Sequence, residues 1–203
     1  PQATDGSIAV TPDYLEAGTF ILAGILTDSA ITVEHVVPEQ LDAFFEKLSE
    51  AGANFSIDEK GQRVTTAPRT GDLTATNIQT GVFPKFPTDL HPQFGVLMTQ
   101  CVGTSKIFEV LFERKFAYLL ELEKLGADVQ ILNPHEFLIH GPRQLTGVPV
   151  ASQDIRAGAA ILLATLIAAG ESEISNIHYL DRGYQNIEAK LRDLGADITR
   201  ENA

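Results

Sequence analysis

The chain is poor in cysteine, methionine, tryptophan and positive charge. Its 203 residues include one Cys, one Met and no Trp. A lone thiol, Cys101, excludes an internal disulfide and a cysteine-rich zinc site, and it fits a reducing compartment. Its apolar surroundings predict a thiol that packs rather than reacts. Lys and Arg number 15 against 27 Asp and Glu, a net charge of −12. Broad binding to nucleic acid is excluded on that balance, because phosphate contacts need a basic face. The best apolar run, Ala157 to Ala169, ends at Gly170 and is too short to span a bilayer, so no membrane partner is expected. There is no P-loop and no GxGxxG. The histidines at 35, 91, 135, 140 and 178 lack zinc-ligand spacing and read as ordinary surface or strand residues. Neither metal nor cofactor is expected.

What the chain does have is repetition. The stretches LDAFFEKLSEAGANFSI, KFAYLLELEKLGADVQI and YQNIEAKLRDLGADITR align on Gly52, Gly126 and Gly195. Four residues before each Gly stand Leu48, Leu122 and Leu191, and eight before stand Phe44, Tyr118 and Ile187. That spacing makes one apolar stripe on a helix. The glycine suits a left-handed C-terminal cap, and a strand is expected to open three residues later, at Phe55, Val129 and Ile198. A more uniformly apolar helix precedes each copy: EAGTFILAGIL, PQFGVLMTQCV and IRAGAAILLATLIAA, with early glycines at 18, 95 and 158. Strand-like runs follow these helices: ITVEHVV, KIFEVLF and SEISNIHYL.

The unit is therefore helix, strand, helix, strand, and the class is α/β. Hairpins are expected after the first two copies, RVTTA with LTATNIQT and EFLIHG with VPVAS. The expectation is one domain, 1–203, of three units at about 8–80, 81–152 and 153–203. The third unit stops before its hairpin and the chain opens on Pro1, which suggests part of a longer protein. The run GSIAVTP could supply a missing strand or open the first unit.

The pattern breaks where charge replaces apolar groups. Eleven residues before each glycine stand Leu41, Lys115 and Tyr184. Lys115, in FERKF, is either a lysine snorkelling from a helix start or part of an anion site. Arg156, in QDIRAGAA, opens a helix whose N-terminus already favours anions; it is either paired with Asp154 or part of an oxyanion clamp. Arg182, in LDRGY, is either a solvated cation or a third member of that clamp. Asp89, in KFPTDLHPQF, follows two stiffening prolines. There Thr88 or Asp89 reads as an N-cap, and Asp89 alternatively as a general base.

FPTDLHPQF, FERKF, DIRAGAAILLA and LDRGYQNIEAKLRDLGADI resemble the second half of the UDP-N-acetylglucosamine enolpyruvyl transferases, from about Pro12 to Glu201. The resemblance implies one domain of an inside-out α/β barrel, in a cytoplasmic enzyme of peptidoglycan synthesis and hence of cell shape and division. Its partners would be UDP-N-acetylglucosamine, phosphoenolpyruvate and a missing N-terminal domain. It implies that Asp89 contacts the sugar hydroxyl as a candidate base. It implies that Arg156 and Arg182 hold the phosphoenolpyruvate anion, and that the backbone of Leu111 contacts the nucleotide sugar. Lys115 stands where the family usually has Arg, so a planar fork becomes a point charge. Cys101 does not match the family's mobile-loop cysteine. A non-catalytic domain of a divergent paralogue and a domain of the shikimate-pathway cousin, 5-enolpyruvylshikimate-3-phosphate synthase, are the rival readings. The chain alone is expected to be inactive.

Overall fold

The computed structural model describes residues 10–58, 60 and 62–201. Most of the GSIAVTP run, residues 6–9, lies outside the described residues, so its reading as a strand has no structural outcome. In chain order the elements begin with α1 (Tyr14–Leu26), β1 (Thr32–Glu34), α2 (Asp42–Glu50), β2 (Phe55–Ile57), β3 (Arg63–Thr66) and β4 (Asn77–Gly81). Then come β5 (Phe86–Pro87), α3 (His91–Met98), β6 (Gly103–Phe108), α4 (Tyr118–Lys124), β7 (Asp128–Ile131), β8 (Glu136–Gly141) and β9 (Val150–Ala151). The chain continues as α5 (Ile155–Ile167), β10 (Ile174–Ser175), α6 (His178–Asp181) and α7 (Ile187–Asp193). Short 3-10 turns precede α2 and α3, at Pro38–Gln40 and Thr88–Leu90.

The repeat is visible in single hydrogen bonds. After α2, Gly52 N–H donates to the Ser49 carbonyl and Ala53 N–H to that of Leu48. After α4, Gly126 donates to Glu123 and Ala127 to Leu122; after α7, Gly195 donates to Arg192 and Ala196 to Leu191. Each pair is a Schellman cap, with the glycine at φ +79, +101 and +100. The accepting Leu48, Leu122 and Leu191 are all buried. At about 1.5–3 kcal/mol per buried apolar side chain, the stripe drives packing while the cap ends the helix.

The three apolar helices α1, α3 and α5 pack on one another at the centre. Their early glycines allow close approach. A Cβ added at Gly18 would lie 2.7 Å from Leu90, and one at Gly158 would lie 2.9 Å from Leu180. The longest of these helices has 13 residues, and no helix among the described residues is long and apolar enough to cross a membrane.

The strand pairing corrects the expected hairpins. β3 does not pair with β4; it lies between β1 and β2, antiparallel to both. β4 crosses to the next unit and pairs in parallel with β5 and β6. Likewise β8 lies between β6 and β7, antiparallel to both, and β9 pairs in parallel with β10. The connectors bind elsewhere, which prevents the tight turns a hairpin needs. Thr74 N–H donates to Ala51 and Ala75 to Val102; equivalently, Thr146 donates to Leu125 and Gly147 to Ala169. Each unit thus lends its last strand to its successor. The strand expected at Ile198 does not form: among the described residues its backbone has no ladder partner, although Ala196 and Ile198 pack on the core.

Candidate active site

Two motifs far apart in sequence meet at one ion pair. Asp89 sits in the 3-10 turn after β5. Arg156 is the second residue of α5, whose start is capped by Asp154 accepting from Ala157 N–H at 2.8 Å. Arg156 Nη1 donates to Asp89 Oδ1 at 3.3 Å, with side-chain exposures of 15% and 37%. Its second terminal nitrogen is 4.0 Å from Asp154, so Asp89 is the nearer partner. The guanidinium also lies 5.6 Å from the ring centre of Phe112, a face that attracts cations. Asp89 is accordingly no N-cap, and neither is Thr88, whose hydroxyl donates to Glu109 Oε2 at 2.7 Å.

Among the described residues the other sequence-predicted residues make no hydrogen bond or ion pair with Asp89 or Arg156. Leu111 and Lys115 are exposed on the segment between β6 and α4, the same segment that carries Phe112 under Arg156. Arg182 is exposed at the C-terminal end of α6. Its neighbour Gly183 approaches Ile155 so closely that an added Cβ would lie 2.5 Å away. The LDRGY turn is therefore seated beside the start of α5. Among the described residues neither Lys115 nor Arg182 has a salt-bridge partner, whereas Arg156 does; of the three cations expected to stand unneutralised, Arg156 is paired, through Asp89. A carboxylate and a guanidinium held so close suit bonding to a hydroxyl and an anion together.

Three groups at this site escaped the sequence reading. Tyr14, at the start of α1, has its phenol pKa raised by burial and then by the charge of Asp89. Glu109 is fully buried, and its signal was legible: Ser105, Ile107 and Glu109 alternate on the inner face of the β6 run. His91 corrects the reading of all five histidines as surface or strand residues, because it is fully buried at the start of α3. Burial, then the nearby Arg156 charge, pushes its pKa down to about 3, so the ring is neutral at pH 7. Its Nε2 is 3.3 Å from Glu109 Oε2 but out of line for a hydrogen bond. Cys101 packs as expected: Sγ donates to Leu97 and burial pushes the thiol up to about 12.

A sequence model of the EPSP synthase family (3-phosphoshikimate 1-carboxyvinyltransferase) matches residues 1–191. The chain belongs to that family. Within it, the chain is 43% identical over 195 residues to the UDP-N-acetylglucosamine 1-carboxyvinyltransferase of Myxococcus xanthus, matching 96% of this chain and 46% of that protein. The enzyme of the same name from Helicobacter pylori is 40% identical over 193 residues, covering 95% and 45%. The crystal structure of the enolpyruvyl transferase NikO from Streptomyces tendae superposes with TM-score 0.86 at 28% identity, covering 95% of this chain and 45% of that one. The α/β class expected from the repeats is observed, and a structural neighbour is an enolpyruvyl transferase. The chain spans about half the length of the relatives it matches.

Proposed function

We propose that this chain is the second half of an enzyme that transfers the enolpyruvyl group of phosphoenolpyruvate to UDP-N-acetylglucosamine. Such an enzyme acts in the cytoplasm, in peptidoglycan synthesis, and so serves cell shape and division. The observation that carries the reading is the Asp89–Arg156 pair at 3.3 Å, which joins the FPTD and DIRAG motifs, in a chain whose relatives at about 40% identity bear that name. The domain comprises three units at about 8–80, 81–152 and 153–203, and a partner domain closes over its site.

The chemistry is addition followed by elimination. The sugar hydroxyl adds through oxygen to C2 of phosphoenolpyruvate while C3 gains a proton. Loss of a C3 proton and of inorganic phosphate then restores the double bond. Asp89 takes the hydroxyl proton; its Oδ2 has no hydrogen-bond donor among the described residues. Arg156 uses one of five N–H donors on Asp89, which leaves the rest of a planar fork for the carboxylate or phosphate. Arg182 and Lys115 add charge to the same anion, and the Leu111 backbone contacts the nucleotide sugar. A net charge of −12 repels both substrates, so only a local cationic cluster can gather them. Half a cleft neither aligns the hydroxyl against C2 nor excludes water, so the chain alone does not turn over.

Family membership through an EPSP synthase model keeps the shikimate reading in view, but the relatives named for the sugar nucleotide cover nearly the whole chain. The test is phosphate release from phosphoenolpyruvate in the full-length protein, with UDP-N-acetylglucosamine or shikimate 3-phosphate as acceptor. Release only with the sugar nucleotide is expected. Asp89→Ala should lower kcat by about 10²–10⁴, the usual worth of a positioned acid or base. Release only with the shikimate acceptor, or an Asp89→Ala rate equal to the parent, would overturn the assignment.

A further inference from the structure

Glu109 is the one fully buried carboxylate among the described residues. It leaves the end of β6 on the inner face of the strand, where Ile107 packs two residues earlier. A carboxylate placed there must be compensated, since an unpartnered buried charge costs several kcal/mol. The compensation comes from the two segments that bear the candidate site. Oε2 accepts from the Thr88 hydroxyl at 2.7 Å, one residue before Asp89. Oε1 accepts from the backbone amides of Leu111 at 2.8 Å and Phe112 at 3.1 Å. Phe112 in turn lies under the Arg156 guanidinium. The residue's own backbone is anchored too: its N–H donates to the His135 carbonyl at 2.8 Å, and its carbonyl accepts from His135 Nδ1 at 2.7 Å.

The repeat supplies an internal control. The residue at the same spacing from Gly52 is His35, exposed and at φ +58. The architecture of the unit therefore closes without a buried carboxylate at this place. The second copy carries one where its strand leads into the site.

We infer that Glu109 is a positioning residue: it clamps the Asp89 turn to the Leu111–Phe112 segment, holding the base and the nucleotide-sugar contact in one geometry. The sugar hydroxyl must lie within hydrogen-bond reach of Asp89 while the rest of the acceptor rests on Leu111. A slip of about 1 Å between the two segments can cost about 10²-fold in rate. Phosphoenolpyruvate is gripped mainly by Arg156 and Arg182, from α5 and the LDRGY turn, elements that make no hydrogen bond to Glu109 and whose backbones are held separately, α5 by the Asp154 cap. The inference rests on the enolpyruvyl-transfer reading for what the two segments bind. It does not rest on it for the clamp itself.

The test uses the full-length protein. Glu109→Gln keeps the shape but turns one acceptor into a donor facing Thr88. It should lower kcat about 10-fold and raise KM for UDP-N-acetylglucosamine about 10-fold, with KM for phosphoenolpyruvate within about twofold. Thr88→Val should shift the same two constants in the same direction, and Thr88→Ser should restore them, which covers the case that the Gln variant does not fold. The double variant should be less impaired than independent effects would give, because both changes break one contact. A second readout needs no turnover: amide hydrogen exchange at Leu111 and Phe112, slow in the parent, should quicken about 10-fold in Glu109→Gln. Unchanged exchange there, or parental kinetics in Thr88→Val, overturns the clamp. So does an equal rise in both KM values, which a merely structural residue would give. A parent protein that releases no phosphate overturns the enolpyruvyl reading instead, and the exchange experiment then decides the clamp alone.

Discussion

The segment between β1 and α2, residues 35–41, and the segment between β6 and α4, residues 109–117, leave their strands at the same distance from a helix-ending glycine, yet they bury different things. In the first, Val36 and Leu41 are sunk in the core and a 3-10 turn leads into the helix. In the second, Val110, Leu111 and Phe112 are exposed at 39%, 42% and 44%, Lys115 is exposed, and a carboxylate, Glu109, is turned inward along with Phe116 near the helix start. One loop closes the fold and the other presents a surface. A repeat makes that difference readable, because packing alone would have given both copies the same solution. Where a copy departs from its sibling by exposing apolar groups and burying a charge, selection for something other than packing is the physical explanation.

Exchanging the two loops' residues would break or sharpen the contrast. Leu41→Lys should be the most damaging change, because Leu41 is 1% exposed within the apolar core, where a buried ammonium loses its water. About 3–5 kcal/mol of stability should be lost, read as a fall in denaturation midpoint. A loss under about 1 kcal/mol would mean the first loop opens as readily as the second.

The buried histidine that α3 places 3.3 Å from the second loop's Glu109 should show itself in acid. His91 has its pKa depressed to about 3, against 6.5 for the ordinary group. Below pH 6.5 the unfolded chain takes up a proton that the folded chain refuses, so stability falls as pH drops from about 6.5 towards 3. The slope is about 1.4 kcal/mol per pH unit for one such group. His91→Gln should flatten the curve by that amount across this window in urea titrations at pH 7 and 5; an unchanged difference between the two pH values would place the histidine in water.

Gly126 tests whether the helix end common to both loops is set by backbone conformation. At φ +101, with nothing but the Gln144 carbonyl at 3.5 Å near an added Cβ, Gly126→Ala is strained rather than crowded. It should cost about 1–2 kcal/mol, the penalty for a left-handed non-glycine residue. Gly52→Ala should match it, since its cap is the same.

The smallest effect on stability belongs to Lys115→Leu, the reciprocal of the first exchange. The side chain is exposed and unpaired among the described residues, so stability should stay within about 0.5 kcal/mol. In the full-length protein KM for phosphoenolpyruvate should rise and lose part of its salt dependence, because one cation fewer meets the anion. A lysine as damaging to remove as Leu41 is to replace would dissolve the distinction between the two loops.

Much was written locally. The three glycine caps, their leucine stripes and the three apolar helices follow from spacing, because a helix buries residues at fixed intervals and only a cheap left-handed residue ends it there. The motif residues Asp89, Arg156 and Arg182, with Leu111 and Lys115, could be singled out as breaks in the pattern or by resemblance. What sequence could not state was who pairs with whom. Strand partners are chosen by long-range hydrogen bonds, so β4 and β9 pass to the next unit instead of closing hairpins, and the run at Ile198 stays without a ladder. The Asp89–Arg156 contact, the turn of Thr88 from a helix cap to Glu109, and the burial of His91 each depend on elements distant in the chain arriving at one point. A side chain's partner and its dielectric surroundings are properties of packed space. The sequence carries its groups and their spacing, and only the tertiary structure decides which of them share a solvent-free volume.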